Sequence, residues 1–316
     1  MYSGKIQPHI DRPLKKIDHE ALSKIIEELP NNPLLTGMDN APRLSLAGAQ
    51  SKFAVYKGTD GKYYRSDDEH PTTHIIKIAN KYFNGLLENE LFCMTLAKKI
   101  FKDAIDVRLD SVDGQKFLEI ERFDRKFMND RIERVHQEDF CQVLGCLSRR
   151  KYQADGGPKL SQIYNAVKEY SAQKAFDGYK LIQLLIFNYL IGNTDAHAKN
   201  FSFVHTDKNN TVVLSPAYDL VAVDVYPKKN GQSSSRDDDK RQRNLCLTLS
   251  EGLGSSFHTT EFERDKYDER NAKDFSHIVD DGRKLADILD KDALTSSDVY
   301  EKILKNVENR YRALFD

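Results

Sequence analysis

The chain has 316 residues, 31% of them charged, and its 48 basic and 49 acidic side chains leave a net charge of -1. That balance excludes a global basic field, so nucleic acid is not expected as a direct primary partner, and the length suits one two-lobed domain or two small ones. Four cysteines without a C-x2-C pair argue against a zinc ribbon or a disulfide framework, and no stretch has signal-peptide or membrane-spanning character, so a soluble protein of the reducing cytoplasm is expected.

Residues 1–17 read as irregular, and Asp18 can cap a helix over Glu20–Leu29 that stops at Pro30 and Pro33. The segment Arg43–Tyr56 alternates small residues with strand formers. Gly48, between Ala47 and Ala49, lets backbone N–H groups approach anionic oxygens, and Lys52 adds charge, although the GK[ST] ending of a Walker A loop is missing. Asp60-Gly61 predicts a turn into Lys62–Arg65. Thr72–Ile78 reads as a β-branched strand carrying Lys77, followed by an amphipathic helix over Glu88–Phe101 in which Glu90 flanks the apolar stripe. Ile105–Leu109 and Lys116–Glu121 read as strands joined through Asp113-Gly114. Residues Glu121–Arg125 then lead from a strand-rich half into a helical one.

In that second half the pattern predicts helices over Glu138–Leu147, Lys159–Tyr170 and Tyr179–Ile191, interrupted at Asp155-Gly156-Gly157-Pro158. The almost continuously apolar run 181–192 reads as a buried helix stopping at Gly192. Phe201–His205 and Thr211–Leu214, around the turn-rich Asp207–Asn210, predict a hairpin that folds Asp219 back toward Asn200. Residues 228–243 are polar with charges of alternating sign, which suits a solvated loop, and helices resume near Asp274–Ile288 and Ser297–Leu314. The expected class is α+β, two-lobed and protein-kinase-like, with a strand-rich lobe over 1–124 and a helical lobe over 125–316.

The chemistry is concentrated after Gly192. Asp195 and Asn200 are five apart, the interval between the base and the magnesium-binding asparagine of protein-kinase catalytic loops. A carboxylate must reach the attacking hydroxyl while a neutral amide oxygen holds a cation beside the phosphates. The spacing alone also describes a polar cap on a core helix, but loop, asparagine, hairpin and Asp219 come in the order a phosphoryl-transfer site needs. On the same template Lys77 would reach the nucleotide phosphates and Glu90, or failing it Glu88, would orient that lysine, while main-chain groups near Glu121 and Phe123 would meet the adenine.

The motifs Leu46–Lys52, Pro71–Lys77, Glu121–Arg125, Gln137–Gln142, Lys151-Tyr152, Asp155–Pro158, Thr194–Ser202 and Tyr218-Asp219 together resemble the HipA-type serine/threonine kinase toxins of bacterial toxin–antitoxin systems. The resemblance covers roughly residues 42–227. It implies ATP and Mg2+ as cofactors, Asp195 as base, Asn200 and Asp219 as metal ligands, and Lys77 on the phosphates. It also implies a nucleotide loop formed by Ala47, Gly48, Ala49, Gln50, Ser51 and Lys52, further nucleotide contacts from His197 and Lys199, and regulatory autophosphorylation at Ser45. With only about forty residues before that loop, the sequence looks like the short HipT-like form. Its expected partners are a separate HipS-like small protein, a HipB-like DNA-binding antitoxin, and an aminoacyl-tRNA synthetase, glutamyl or tryptophanyl, as substrate. A metabolite or lipid kinase, and a non-catalytic assembly module, are the competing readings.

Overall fold

The structure is a computed structural model that describes residues 14–32, 50–66, 70–79, 83–128, 131–206, 211–226, 270–291 and 297–315. Ser45, Ala47, Gly48, Ala49 and the segment 228–243 lie outside the described residues.

Strands β1 (Lys52–Lys57), β2 (Tyr63–Tyr64), β3 (His74–Ile78), β4 (Val107–Val112) and β5 (Gln115–Glu121) form one antiparallel sheet in the order β2-β1-β3-β5-β4. The β4–β5 turn holds Asp113 and Gly114 at φ +48° and +76°, the two left-handed residues of a type I′ hairpin, so the predicted turn is present. Because side chains alternate across a pleated sheet, Phe53, Val55, Ile76, Ile78 and Phe117 line one face. They pack against Leu22, Ile25, Ile26 and Leu29 at helix α1 (His19–Glu28), which Asp18 caps through Ala21 N at 2.9 Å. Those four helix-side residues contribute on the order of 6–12 kcal/mol of gross apolar burial, before entropy. Ile75, Leu109, Leu118 and Ile120 line the opposite face, against Leu87 and Leu91 of α2 (Leu86–Ala97). Lys77, paired with Lys52 on β1 and Leu118 on β5, shares that second face by the same alternation.

Helix α2 is shorter than the predicted Glu88–Phe101 and is not amphipathic: nearly every side chain is buried. The sheet covers one side and later helices the other, with Phe92 stacked on Tyr300 at 4.9 Å between ring centroids. The large core is built around α5 (Lys174–Ile191), with α4 (Leu160–Tyr170), α6 (Ile278–Leu289) and α7 (Ser297–Phe315) packed into it. Helix α5 starts five residues earlier than predicted. Inside it Asp177 accepts from Leu214 N at 2.8 Å and from Ser171 Oγ, and Lys180 donates to Ser215 O at 2.9 Å, so two buried charged groups tie the following hairpin onto the helix.

That hairpin, β9 (Ser202–His205) with β10 (Val212–Leu214), takes β8 (Gln137–Asp139) as a third strand. The pairing explains why the predicted helix Glu138–Leu147 shrinks to α3 (Phe140–Val143): Glu138 is committed to the sheet opposite Phe203, and Asp139 caps what remains through Gln142 N at 3.0 Å. Strands β6 (Arg125–Met128) and β7 (Arg131–Arg134) form a separate, largely exposed hairpin that the sequence pattern did not suggest. No helix among the described residues is long and apolar enough to cross a membrane.

Candidate active site

Helix α5 delivers the loop. It ends at Gly192 with φ +73°, and a Cβ there would stand 2.1–2.3 Å from the Asp224 carboxylate atoms, so both conformation and space require glycine. Asp224 is held in turn by α7, through Asn306 Nδ2 at 3.1 Å and an ion pair with Arg310. Beyond the glycine, Asn193 donates to Asn188 Oδ1 at 2.7 Å and accepts from Asp195 N at 3.3 Å, which turns the loop so that Asp195 is presented at the surface.

From there an unbroken series of polar contacts crosses to α2. His197 N donates to Asn200 Oδ1 at 3.0 Å, and Asn200 Nδ2 donates to Asp219 Oδ2 at 2.9 Å. Lys77 Nζ donates to Asp219 Oδ1 and to Glu90 Oε1, each at 2.6 Å. Glu90 is thus the carboxylate that meets Lys77, whereas Glu88 pairs with Lys116 at 2.7 Å. Lys77 and Glu90 are buried, at 8% and 1% side-chain exposure, but Asp219 is 41% exposed and can still present oxygen to a ligand. Its backbone is at φ +58°, a left-handed conformation that costs a non-glycine residue energy and here aims the carboxylate between Lys77 and Asn200.

The electrostatics follow from this packing. Lys77 beside it holds the Asp219 carboxyl down to about 2, against the smaller opposing effect of partial desolvation. Burial alone would lower Lys77, but Asp219 and Glu90 outweigh it and hold the ammonium above its usual range. For Glu90 burial dominates and pushes the carboxyl up, and its second oxygen, Oε2, is buried without a hydrogen-bond partner. Lys52 is lowered by burial and by its cross-strand neighbour Lys77. The result is one part-exposed, firmly ionised carboxylate beside the Asn200 amide, whose nitrogen donates to it and whose oxygen accepts from His197 N and keeps a lone pair, flanked by two lysines. Oxygen donors of this kind suit a hard cation such as Mg2+, and the lysines suit anionic oxygens.

Other predicted residues take different places. Gln50 donates through its side chain to Ile78 O at 3.0 Å, and Ser51 O accepts from Ile78 N at 3.1 Å, so both brace the loop end against β3. The Lys199 ammonium donates to Ser148 Oγ at 2.9 Å. His197 Nε2 meets Lys151 Nζ at 2.8 Å, and burial followed by that lysine's charge keeps its imidazole neutral at lower pH than usual. Glu121 spends its backbone N–H on Asp106 O at 3.0 Å, and Phe123 stacks on Tyr218, 5.3 Å between ring centroids.

Three residues at the site had no role assigned from sequence. The Tyr152 hydroxyl donates to Asp195 Oδ1, and the Lys151-Tyr152 motif was the only signal for it. Asn89, fully buried, accepts from Ala222 N at 2.8 Å and donates to Ala222 O at 3.0 Å, tying α2 to the chain three residues beyond Asp219. Asp124 pairs with Arg122 at 2.6 Å and with Arg125 at 2.9 Å, while Arg125 Nε reaches Thr72 O at 2.7 Å, so this motif clamps the crossover between the two halves.

Residues 44–294 match the family described as the HipA-like C-terminal domain. The chain belongs to that family. A Sinorhizobium fredii protein carrying a provisional kinase name is 38% identical over 230 residues, 72% of this chain and 54% of its own length. The serine/threonine-protein kinase toxin HipA of Shewanella oneidensis is 32% identical over 215 residues, 64% of this chain and 48% of its own. This HipA-like chain thus spans about half the length of the curated relatives it matches. Among solved structures, the Shewanella oneidensis HipA complex with HipB and operator DNA superposes with a TM-score of 0.75 at 24% identity, covering 100% of this chain and 75% of that one. The Helicobacter pylori kinase CtkA gives 0.53 at 14% identity, over 89% and 94%. The fold is therefore the two-lobed, kinase-like HipA fold, as expected.

Proposed function

We propose that this HipA-like chain is a serine/threonine-protein kinase of the toxin type, using ATP and Mg2+. The observation that carries the reading is the single ammonium of Lys77 bridging Glu90 and Asp219 at 2.6 Å each, with Asn200 on the other oxygen of Asp219. A protein rarely buries a lysine between two carboxylates without a task for it, and in kinases that lysine must be oriented before it can hold nucleotide phosphates.

In this reading Lys77 and Lys52 hold the phosphate oxygens, and the segment Ala47-Gly48-Ala49-Gln50-Ser51 serves as the nucleotide loop. The Glu121 carbonyl and Phe123 backbone meet the adenine. Asp219 and Asn200 hold Mg2+, which when bound supplies positive charge against the phosphoryl oxygens. Asp195 takes the proton of the acceptor hydroxyl as the new O–P bond forms, the bond from the γ-phosphorus to the bridging oxygen breaks, and ADP leaves. Tyr152 donates to Asp195 and must yield that bond to the acceptor. His197 braces the loop through Lys151, and Lys199 through Ser148, so both act on the nucleotide indirectly.

The acceptor is proposed to be a serine of an aminoacyl-tRNA synthetase, glutamyl or tryptophanyl. A HipB-like antitoxin and a HipS-like small protein are proposed to restrain the kinase, and autophosphorylation at Ser45 to switch it off by placing roughly two negative charges near the nucleotide. The Shewanella protein's complex with HipB and DNA supports the antitoxin partner by kinship. The test is to incubate the protein with labelled ATP, Mg2+ and host lysate beside Asp195→Asn. Label on one synthetase that falls about 10²–10⁴-fold in the variant is expected. Label unaffected by Asp195→Asn would overturn the assignment.

A further inference from the structure

A second group of potential ligands lies on the β8–β9 ladder, on side chains that the proposed phosphoryl transfer does not use. The register Gln137↔Val204 and Glu138↔Phe203 continues one step outward, where His205 N donates to His136 O at 2.9 Å, so His136 and His205 are a cross-strand pair. Glu138 is two residues from His136 and therefore on the same face of the pleat. All three side chains converge: Glu138 Oε2 stands 3.2 Å from His205 Nε2 and 3.9 Å from His136 Nε2, and the two imidazole rings are 4.6 Å apart. One ligand atom from each residue lies within 4.8 Å of the others.

We propose that His136, Glu138 and His205 form a binding site for a divalent transition metal, with zinc as the best match. Two imidazoles and one carboxylate are zinc's ordinary oxygen and nitrogen donors, and tetrahedral coordination at about 2.0–2.1 Å places ligand atoms about 3.3 Å apart. The observed 3.2 and 3.9 Å bracket that spacing, and side-chain rotation of the exposed His136 would bring the three ligand atoms, all within 4.8 Å of one another, onto one ion. The side chain of His136 is 66% exposed and that of His205 17%, so the site opens to solvent on one side and leaves a fourth position for water. The absence of thiolate ligands disfavours Cu(I), and a three-residue set with nitrogen donors disfavours Mg2+ and Ca2+, which prefer all-oxygen shells. A metal here cross-links β8 to β9, the strand that leaves Asn200 and Phe201, and stiffens the sheet behind the loop.

The competing account is a plain Glu138–His205 hydrogen bond with His136 as an exposed bystander. His136→Ala separates the two, because it keeps that bond and removes one ligand. Untagged protein is stripped with chelator and titrated with Zn2+ by calorimetry, with Co2+ as a visible probe of coordination and melting temperature as a third readout. One zinc per chain, a Co2+ visible spectrum of low coordination number that zinc displaces, and a rise in melting temperature are expected. Affinity should fall by more than about tenfold in His136→Ala, Glu138→Gln and His205→Ala. The metal-free melting of His136→Ala should match that of the original protein, which shows that lost affinity is not lost folding. Absence of saturable micromolar binding, or affinity unchanged in His136→Ala, overturns the site.

Discussion

Replacing Lys77 by methionine tests the centre of the proposed site and the fold around it together. The substitution keeps the volume of the stem and removes the ammonium, leaving Glu90 at 1% side-chain exposure with no cation. Breaking one side of a buried pair costs about 3–5 kcal/mol, and the lower end is expected because burial already favours the neutral form of Glu90, which can take up a proton instead. Asp219, at 41% exposure, loses a partner but stays solvated and keeps Asn200. A loss of about 3 kcal/mol corresponds, for a chain of 316 residues, to a melting temperature lower by on the order of 4–6 °C. Adding Glu90→Leu replaces the stranded acid with an apolar group, and most of that loss should be recovered while phosphotransfer stays absent, since nothing then holds the phosphates. The assay is thermal unfolding of both variants beside a labelled-ATP transfer reaction. A Lys77→Met protein that melts with the original, or a double variant that melts no higher than the single one, would refute the buried pairing; recovered transfer in the double variant would refute the role given to Lys77.

Asn89→Ala leaves the Ala222 N–H and C=O without their side-chain partner in a fully buried place, so urea unfolding should show a loss of about 2–3 kcal/mol, with weaker phosphotransfer because the chain after Asp219 is untied. Gly192→Ala should cost more than about 2 kcal/mol, since it adds a clash with Asp224 to an unfavourable φ, whereas Gly61→Ala, at φ +75° with nothing within 4 Å, should cost only about 1 kcal/mol; equal losses would remove the clash from the account. Acid unfolding carries a sign as well. The Asp219 carboxyl, held at about 2 by Lys77 against an ordinary 3.8, contributes stability that is present above about pH 4 and is lost as pH falls through 2. The full shift converts to about 2 kcal/mol, roughly half of which is expected for a group so exposed. Comparison with Asp219→Asn between pH 4 and 2 should show the slope missing from the variant.

Local chemistry made much of the architecture legible. Asp18 as a cap, Asp113-Gly114 as a type I′ turn and Gly192 as a helix end each act within a few residues, and the structure has all three. The β-branched run around Lys77 placed it in a strand, and the hairpin after Phe201 did return Asp219 to Asn200 at 2.9 Å. The errors came where a distant segment decided the outcome. Glu138 looked helical until β9 recruited it as an edge partner, and α2 looked amphipathic until Tyr300 and its neighbours covered the second side. The Lys199 ammonium, which the family resemblance places near the nucleotide, donates to Ser148, fifty-one positions earlier, a contact that only the fold supplies.

The amino-acid sequence by itself determined which groups are present and in what order: a lysine on a strand, a glutamate on the next helix, an aspartate and asparagine five apart after a buried helix, and an aspartate after a hairpin. Order along the chain is enough for that, because turns, caps and periodicity are short-range. Only the tertiary structure decided that Glu90 rather than Glu88 meets Lys77, that Asn89 and Ala222 are tied across 133 positions, that Tyr152 lies on Asp195, and that His136, Glu138 and His205 converge. Those choices depend on which faces of helices and strands are pressed together when the core excludes water. Burial then fixes the charge states, since a carboxylate's pKa follows the cation beside it and the solvent left around it.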